Sequence, residues 1–304
     1  MLDYDYVETR DVNCPICSRK NDLGSSITVK VKDYLNVNSG QEFIYLLCSC
    51  GVYYLVNQPH TNQLKKIYSQ GYEAYTIADG LVSKLKRKRL KSVVKPQLVF
   101  GRKTKILDYG CGSGEFVYSA GELVDTTVVG YDFNPPNHSK VSNVFFVNSE
   151  AEIRRNGDFD LIFSFQLIEH LPDPGKFLDF LRELLSDGGR VVLETPSSSG
   201  ILFHRLVRDH WGGWHAPRHF VIFDKESITQ LCSKKGFAIE EFRYLPSPFQ
   251  WNESIRPYLP RGSRLNKLLS LDNFFLVSLF YLIDIILIFF GAKSSNMKLV
   301  LTKI

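Results

Sequence analysis

Residues Ile106 to Phe116 read ILDYGCGSGEF. The run Ile106–Leu107 is buried-strand material; it ends on Asp108, passes Gly110, Gly112 and Gly114, and gives way at Glu115 to helix-forming residues. A glycine-rich turn between a strand and a helix lets backbone approach a ligand closely while helix N–H groups point at it. The spacing here is G-x-G-x-G, shorter than the G-x-G-x-x-G with which dinucleotide binders hold a pyrophosphate.

Asp108 would repel a pyrophosphate but attract an ammonium or sulfonium group, so the turn favours S-adenosylmethionine over a nicotinamide dinucleotide. Further along, VVGYDFNP ends a second strand on Asp132, whose carboxylate can accept both hydroxyls of a ribose, with Phe133 beside it to cover an adenine face. Outward from these motifs the chain alternates apolar strand-like runs (KILDY, TVVGYDF, NVFFV, DLIFSF, RVVLET) with helical segments such as PGKFLDFLRELL. This is the pattern of an α/β fold with a doubly wound, mostly parallel, seven-stranded sheet. KESITQLCSKKGF reads as a later helix closed by Gly236, and MKLVLTKI as the last strand.

The stretch from Lys103 to Phe237 resembles the class I S-adenosylmethionine-dependent methyltransferases. The resemblance implies that Asp108, Gly110, Gly112 and Gly114 surround the methionine part of the cofactor. It implies too that Asp132 and Phe133 hold the adenosine, that Asn148, Ser149 and Glu150 approach the adenine edge, and that Phe165 and Gln166 lie beside the methyl group. Asn148 departs from the aspartate common at that place. Around FSFQLIEHLPDP the chain is similar to the ubiquinone-pathway O-methyltransferases, which bind a metal through acidic residues and a histidine. Gln166 stands where their first glutamate would be, so no catalytic metal is carried across.

Six cysteines are present, at 14, 17, 48, 50, 111 and 232. Cys14 and Cys17 in CPIC and Cys48 and Cys50 in CSCG, joined by β-rich sequence, suggest a zinc ribbon holding structural Zn²⁺. The Cys-x-Cys pair is one residue shorter than the usual allowance; His60 is an alternative ligand, and buried free thiols the alternative to zinc. This unit resembles the zinc-binding region preceding the methyltransferase domain in some bacterial sugar- and glycan-modifying enzymes. The expected organisation is a zinc-ribbon-like unit over 1–60, a helical connector or lid over 61–100, and the α/β domain over 101–304 with an apolar helical insertion near 265–292. In the connector, Tyr68, Tyr72 and Tyr75 read either as packing or as the mouth of a pocket.

Methyl transfer to a hydroxyl needs a base to remove its proton. His170 follows a strand end, and His215 and His219 lie in DHWGGWHAPRHF with Trp211, Trp214 and Arg218; all three histidines are candidate catalytic residues. Arg218 would pair with an anionic acceptor or with a structural carboxylate such as Asp224. The function expected is methylation of a small-molecule, sugar or lipid-linked glycan acceptor, at oxygen before carbon. The alternative is a catalytically silent, cofactor-binding scaffold subunit.

The chain of 304 residues carries 37 Lys and Arg against 32 Asp and Glu, a net +5 too small to argue for nucleic acid. Much of the excess sits in one run from Lys84 to Lys91, a solvated helix face or an anion contact. MLDYDYVETRD has neither a basic n-region nor an apolar core, so a cytoplasmic location is expected. Phe274 to Phe290, FFLVSLFYLIDIILIFF, is interrupted only by Ser278 and Asp284. It reads as a membrane-interface element, a core or oligomer helix, or a span. The basic residues Arg256, Arg261, Arg264 and Lys267 upstream lean toward contact with the inner face of a membrane.

Overall fold

The computed structural model describes residues 6–20, 22–24, 26–33, 40–68, 90–98, 102–123, 125–137, 139, 141–200, 208–259, 263 and 274–304. Tyr72, Tyr75, the basic residues from Lys84 to Arg89, and Arg261, Arg264 and Lys267 lie outside them, as does most of the expected connector.

In chain order the N-terminal strands are β1 (Thr9–Asp11), β2 (Thr28–Lys32), β3 (Glu42–Leu47), β4 (Tyr53–Leu55) and β5 (Asn57–Pro59), followed by the short helix α1 (Leu64–Ile67). The larger unit runs β6 (Thr104–Tyr109), α2 (Glu115–Gly121), β7 (Thr126–Tyr131), β8 (Val144–Val147), α3 (Glu150–Asn156), β9 (Phe159–Phe165), α4 (Pro174–Leu184) and β10 (Leu185–Pro196). It continues through β11 (Val221–Ile222), α5 (Lys225–Lys234), β12 (Phe237–Leu245), α6 (Pro248–Ile255), α7 (Phe274–Phe289) and β13 (Asn296–Lys303).

Seven strands form one sheet in the order β12-β13-β10-β9-β6-β7-β8. β10, β9, β6, β7 and β8 are parallel, and β13 alone is reversed between β10 and β12. The doubly wound sheet expected from the alternating pattern is therefore present, and MKLVLTKI is its antiparallel member. The central strands are apolar throughout because helices cover both faces: Ile106, Leu107, Val128, Ile162, Phe163, Val191 and Leu193 are all buried. α4 buries Phe177, Phe180, Leu181 and Leu184 on one face and starts where the Asp173 side chain accepts the Lys176 N–H at 3.0 Å. Strand order reverses between β6 and β9, and α/β sheets bind ligands at the carboxyl ends of strands flanking such a point.

A second sheet has the order β11-β4-β3-β2. Its outer strand, Val221–Ile222, comes from the far side of the boundary expected near residue 60 and pairs with Tyr53 and Tyr54. The N-terminal unit is thereby completed by a strand of the segment expected to belong wholly to the large domain. α7 has 16 residues. Among the described residues no helix is long and apolar enough to cross a membrane.

Candidate active site

The turn after β6 is clamped to the neighbouring strand: the N–H groups of Gly110 and Cys111 both reach the Tyr131 carbonyl, at 2.8 and 2.9 Å. Gly110, Gly112 and Gly114 all have positive φ. At Gly114, with φ +77°, a Cβ would stand 2.8 Å from the Phe146 ring, so only glycine fits where α2 begins. The Gly112 N–H donates to Asp132 Oδ2 at 3.0 Å and the Asn134 N–H to Oδ1 at 3.2 Å. A carboxylate has about four acceptor positions, so these bonds fix its plane at the end of β7 without exhausting it.

Asp108 is buried beneath the turn, and burial first, then the neighbouring Asp132, pushes its carboxyl from 3.8 up to about 8. A buried acid beside a second, half-buried one is a site for a cation. Phe133 is 85 % exposed, an open aromatic ring next to Asp132. Asn148 and Ser149 follow β8, whose Val147 pairs with Tyr131. Asn148 is exposed, whereas Ser149 caps α3 by accepting the Glu152 N–H at 3.4 Å. Phe165 ends β9 and packs edge-on against Phe116 at 5.0 Å. Gln166 follows with φ +50°, a left-handed conformation that non-glycine residues rarely hold, its N–H on the Glu194 carbonyl at 2.7 Å and its side chain on Asn296 at 3.1 Å. Glu150 opens α3, and all eleven residues expected at the cofactor site thus stand at or just beyond the carboxyl ends of β6, β7, β8 and β9.

The three histidines converge. Ring centroids are 4.6 Å apart for His170 and His219, 4.9 Å for His215 and His219, and 6.3 Å for His170 and His215. His219 Nδ1 lies 2.8 Å from the Gly213 carbonyl and must donate to it, which leaves Nε2 with the lone pair. His170 Nδ1 lies 2.9 Å from the Tyr68 hydroxyl and 3.1 Å from the Arg218 carbonyl. Both Nε2 atoms stand 3.9 Å from Glu169 Oε1, while Glu169 Oε2 accepts the Thr195 hydroxyl at 2.8 Å. Burial dominates the titration of all of them: it lowers His219 to about 4, holds His170 and His215 well below 6.5, and raises Glu169 to about 8. Near neutrality the cluster is therefore an uncharged group of proton acceptors around one carboxylic acid. Glu169, His170 and His219 also present three ligand atoms within 4.8 Å of one another, an arrangement that can hold a metal ion.

Trp211 and Trp214 are core residues; Trp214 packs against Tyr45 at 4.7 Å. Arg218 is fully buried and pairs with Asp33, while Asp224 caps α5 by accepting the Ser227 N–H at 2.8 Å. Of the two partners expected for Arg218, a structural carboxylate is the one present, although a different one. Tyr45 Oη stands 2.7 and 2.6 Å from the carbonyls of Trp214 and His219. Nothing in the sequence marks Asp33 or Tyr45, whereas Glu169 is marked by its place beside His170 just after the strand DLIFSF, at the carboxyl edge of the sheet.

The four cysteine sulfurs of the N-terminal unit lie within 4.8 Å of one another, with Cys14–Cys50 at 3.6 Å and Cys17–Cys48 at 3.5 Å. Four thiolates tetrahedrally placed about 2.3 Å from zinc would be separated by about 3.8 Å, so the set fits the ion. The short Cys-x-Cys spacing is accommodated because Gly51, at φ +92°, closes a tight turn whose N–H reaches the Cys48 carbonyl at 2.9 Å. His60 is not in the cluster.

The sequence pattern of the methyltransferase-domain family matches residues 81–241, more than half of the chain, and the chain belongs to that family. Among curated relatives, the ubiquinone biosynthesis O-methyltransferase of Cereibacter sphaeroides is 34 % identical over 169 residues, covering 50 % of this chain and 67 % of that protein. The mitochondrial ubiquinone biosynthesis O-methyltransferase of Dictyostelium discoideum is 22 % identical over 180 residues, 48 % of this chain and 54 % of its own length. The chain thus spans only about half of that relative. The mycolic acid cyclopropane synthase CmaA1, solved with SAH, superposes with a TM-score of 0.50 at 15 % identity over 76 % of this chain and 91 % of that one, a likeness of fold.

Proposed function

We propose that the protein is an S-adenosylmethionine-dependent methyltransferase acting on an oxygen of a small-molecule acceptor. A sugar hydroxyl or a lipid-linked glycan is favoured over a quinone-like phenol or a carbon, and contact of residues 274–290 with a membrane is proposed beside it as a separate point. The observation that carries it is the bond from the Gly112 N–H to Asp132, which joins the glycine turn of one strand to the terminal carboxylate of the next. Family membership and the pairing of buried Asp108 with half-buried Asp132 support it.

S-adenosylmethionine, when bound, supplies an electrophilic methyl group and leaves as S-adenosylhomocysteine with the electron pair of the broken C–S bond. Asp132 accepts the ribose hydroxyls, Phe133 covers the adenine, Asn148 and Ser149 border its edge, and Asp108 with the glycine turn surrounds the cationic end. Phe165 and Gln166 border the reacting methyl. His170 Nε2 accepts the acceptor's hydroxyl proton as the new C–O bond forms; His215, His219 and Glu169 hold that imidazole and share the charge it acquires. Zinc at Cys14, Cys17, Cys48 and Cys50 is structural.

Calorimetric titration with S-adenosylmethionine tests the cofactor half of the reading. Binding expected in the micromolar range and lost in Asp132→Ala supports it, and no binding by the intact chain ends it. Turnover with a panel of hydroxylated acceptors tests the other half. Binding without transfer to any of them would leave the scaffold reading standing.

A further inference from the structure

The helix α7 is built the wrong way round for a surface helix. Its one charged residue, Asp284, is buried, where it accepts the Ser247 N–H at 2.6 Å and the Trp251 Nε1–H at 3.0 Å. Phe280 stacks on Trp251 along the same inner line, with centroids 5.2 Å apart and planes within 10°. With the one charged side chain turned inward, the outer side carries Phe275, Leu279, Leu282, Ile286, Phe289 and Phe290, all exposed, Phe275 by 86 % and Phe289 by 83 %. Contiguous apolar surface of this kind marks an interaction site.

We propose that this outer face docks onto an anionic phospholipid bilayer and lies in its interface. Among the described residues α7 has 16, about 24 Å of helix against a hydrocarbon core of about 30 Å, which suits a helix lying in the interface. Both flanks also return to the domain, through α6 on one side and β13 on the other.

Charge selects the occupant. Exposed Arg256, beside exposed Tyr258, lies on the chain leading into the helix, and exposed Lys293 follows its end. From Arg256 to Lys293 the sequence carries Arg256, Arg261, Arg264, Lys267 and Lys293, with Asp272 and the buried Asp284 as the only acids. Cations flanking an uncharged, aromatic-rich face match anionic headgroups over an acyl layer.

The position of the helix gives the docking a use. Just beyond it, the Ser295 carbonyl accepts the Ser197 N–H at 2.9 Å, and Asn296 accepts from the Gln166 side chain at 3.1 Å. The end of the lipid-facing helix is thus tied to the carboxyl edges of β9 and β10, so a docked protein opens its reacting edge close to the headgroup layer. An acceptor drawn from that layer rests on the methyltransferase reading; the docking itself does not.

The test is flotation of the full chain with vesicles of mixed phosphatidylglycerol and phosphatidylcholine, and with phosphatidylcholine alone. Preferential capture by the anionic vesicles is expected. Leu282→Ser with Phe289→Ser should lower the bound fraction roughly tenfold or more while the melting temperature and S-adenosylmethionine affinity stay unchanged. Lys293→Glu should weaken capture by anionic vesicles selectively. Failure of the unaltered chain to float with anionic vesicles, or undiminished flotation of the double variant, overturns the proposal. So does a dimer in sedimentation equilibrium that the double variant dissolves while neither protein binds vesicles. Loss of methyl transfer with vesicle binding intact would instead strike the activity reading alone.

Discussion

Asp33 and Arg218, 185 residues apart in sequence, form a two-pronged ion pair with no solvent access: Nη1 to Oδ1 at 3.1 Å and Nη2 to Oδ2 at 3.2 Å. Asp33 directly follows β2 and Arg218 shortly precedes β11, the two outer strands of the smaller sheet. The pair fixes the N-terminal unit against the loop that carries His215 and His219. With the β4–β11 pairing and the Tyr45 hydroxyl, it makes the cysteine-bearing unit a wall of the candidate active site.

Removing one member of this pair leaves the other as an uncompensated buried charge. Asp33→Ala or Arg218→Ala is expected to cost about 3–5 kcal/mol of stability. The double variant should cost less than the two single costs added, since neither charge is then stranded. Thermal and urea melts of the three variants check this, and simple additivity would remove the argument that the two side chains act as a unit.

Chelation of zinc, or Cys17→Ser, should act at a distance for the same reason. The glycine turn and Asp132 belong to the large sheet, whereas the histidine loop leans on the small one. Turnover and melting temperature should therefore fall while S-adenosylmethionine affinity is largely retained. Metal analysis of the purified chain together with calorimetry before and after chelation measures both.

What sequence could and could not supply follows from range. The glycine turn, Asp132 and the strand-helix alternation are local patterns, and each stands in the structure where its period placed it. Asp284 was legible as an oddity in an apolar run, but its inward direction depends on Trp251 and Ser247 from another helix. Val221–Ile222, too short to read as a strand, exists because Tyr53 and Tyr54 offer an edge. The histidine density in DHWGGWHAPRHF was visible, but its meeting with Glu169 and His170 required the fold, and nothing near Asp33 announces a partner.

Gly114→Ala tests the turn directly. The substitution forces a Cβ to 2.8 Å from the Phe146 ring at φ +77°, so both strain and clash oppose it. A loss of about 1–3 kcal/mol in stability is expected, with a large loss of S-adenosylmethionine affinity, read by melting and titration. An alanine variant that bound normally would show that the turn does not meet the cofactor.

Asp108 makes cofactor binding dependent on pH. Its carboxyl, raised from 3.8 to about 8 by burial and then by Asp132, is protonated near neutrality and attracts a cation best when ionised. Affinity for S-adenosylmethionine should therefore rise with pH toward about 8, with proton release on binding. Stability has the opposite slope: between 3.8 and about 8 the folded chain keeps a proton that the unfolded chain has lost, so the group destabilises increasingly as pH rises through that window. Glu169, raised from 4.5 to about 8, adds to the stability slope with the same sign. Comparison with Asp108→Asn isolates the cofactor site. Titrations in buffers of different ionisation enthalpy should detect the released proton in the parent protein and not in the variant.

His170 and His219 can be separated by how one titrates in the absence of the other. Burial is the main reason that His170 sits well below 6.5, and the charge of His219 is the next. His170→Ala should reduce kcat by about 10²–10⁴-fold with S-adenosylmethionine affinity preserved, because the imidazole lies outside the glycine turn. His219→Gln keeps a polar side chain near the Gly213 carbonyl but cannot become a cation, so it removes the repulsion that depresses His170. The acid limb of the kcat profile should then move to higher pH, a displacement that mere loss of packing does not produce. Measuring kcat against pH for the parent and His219→Gln, under saturating S-adenosylmethionine and acceptor, decides the matter. An unmoved acid limb would mean that His170 does not take the proton.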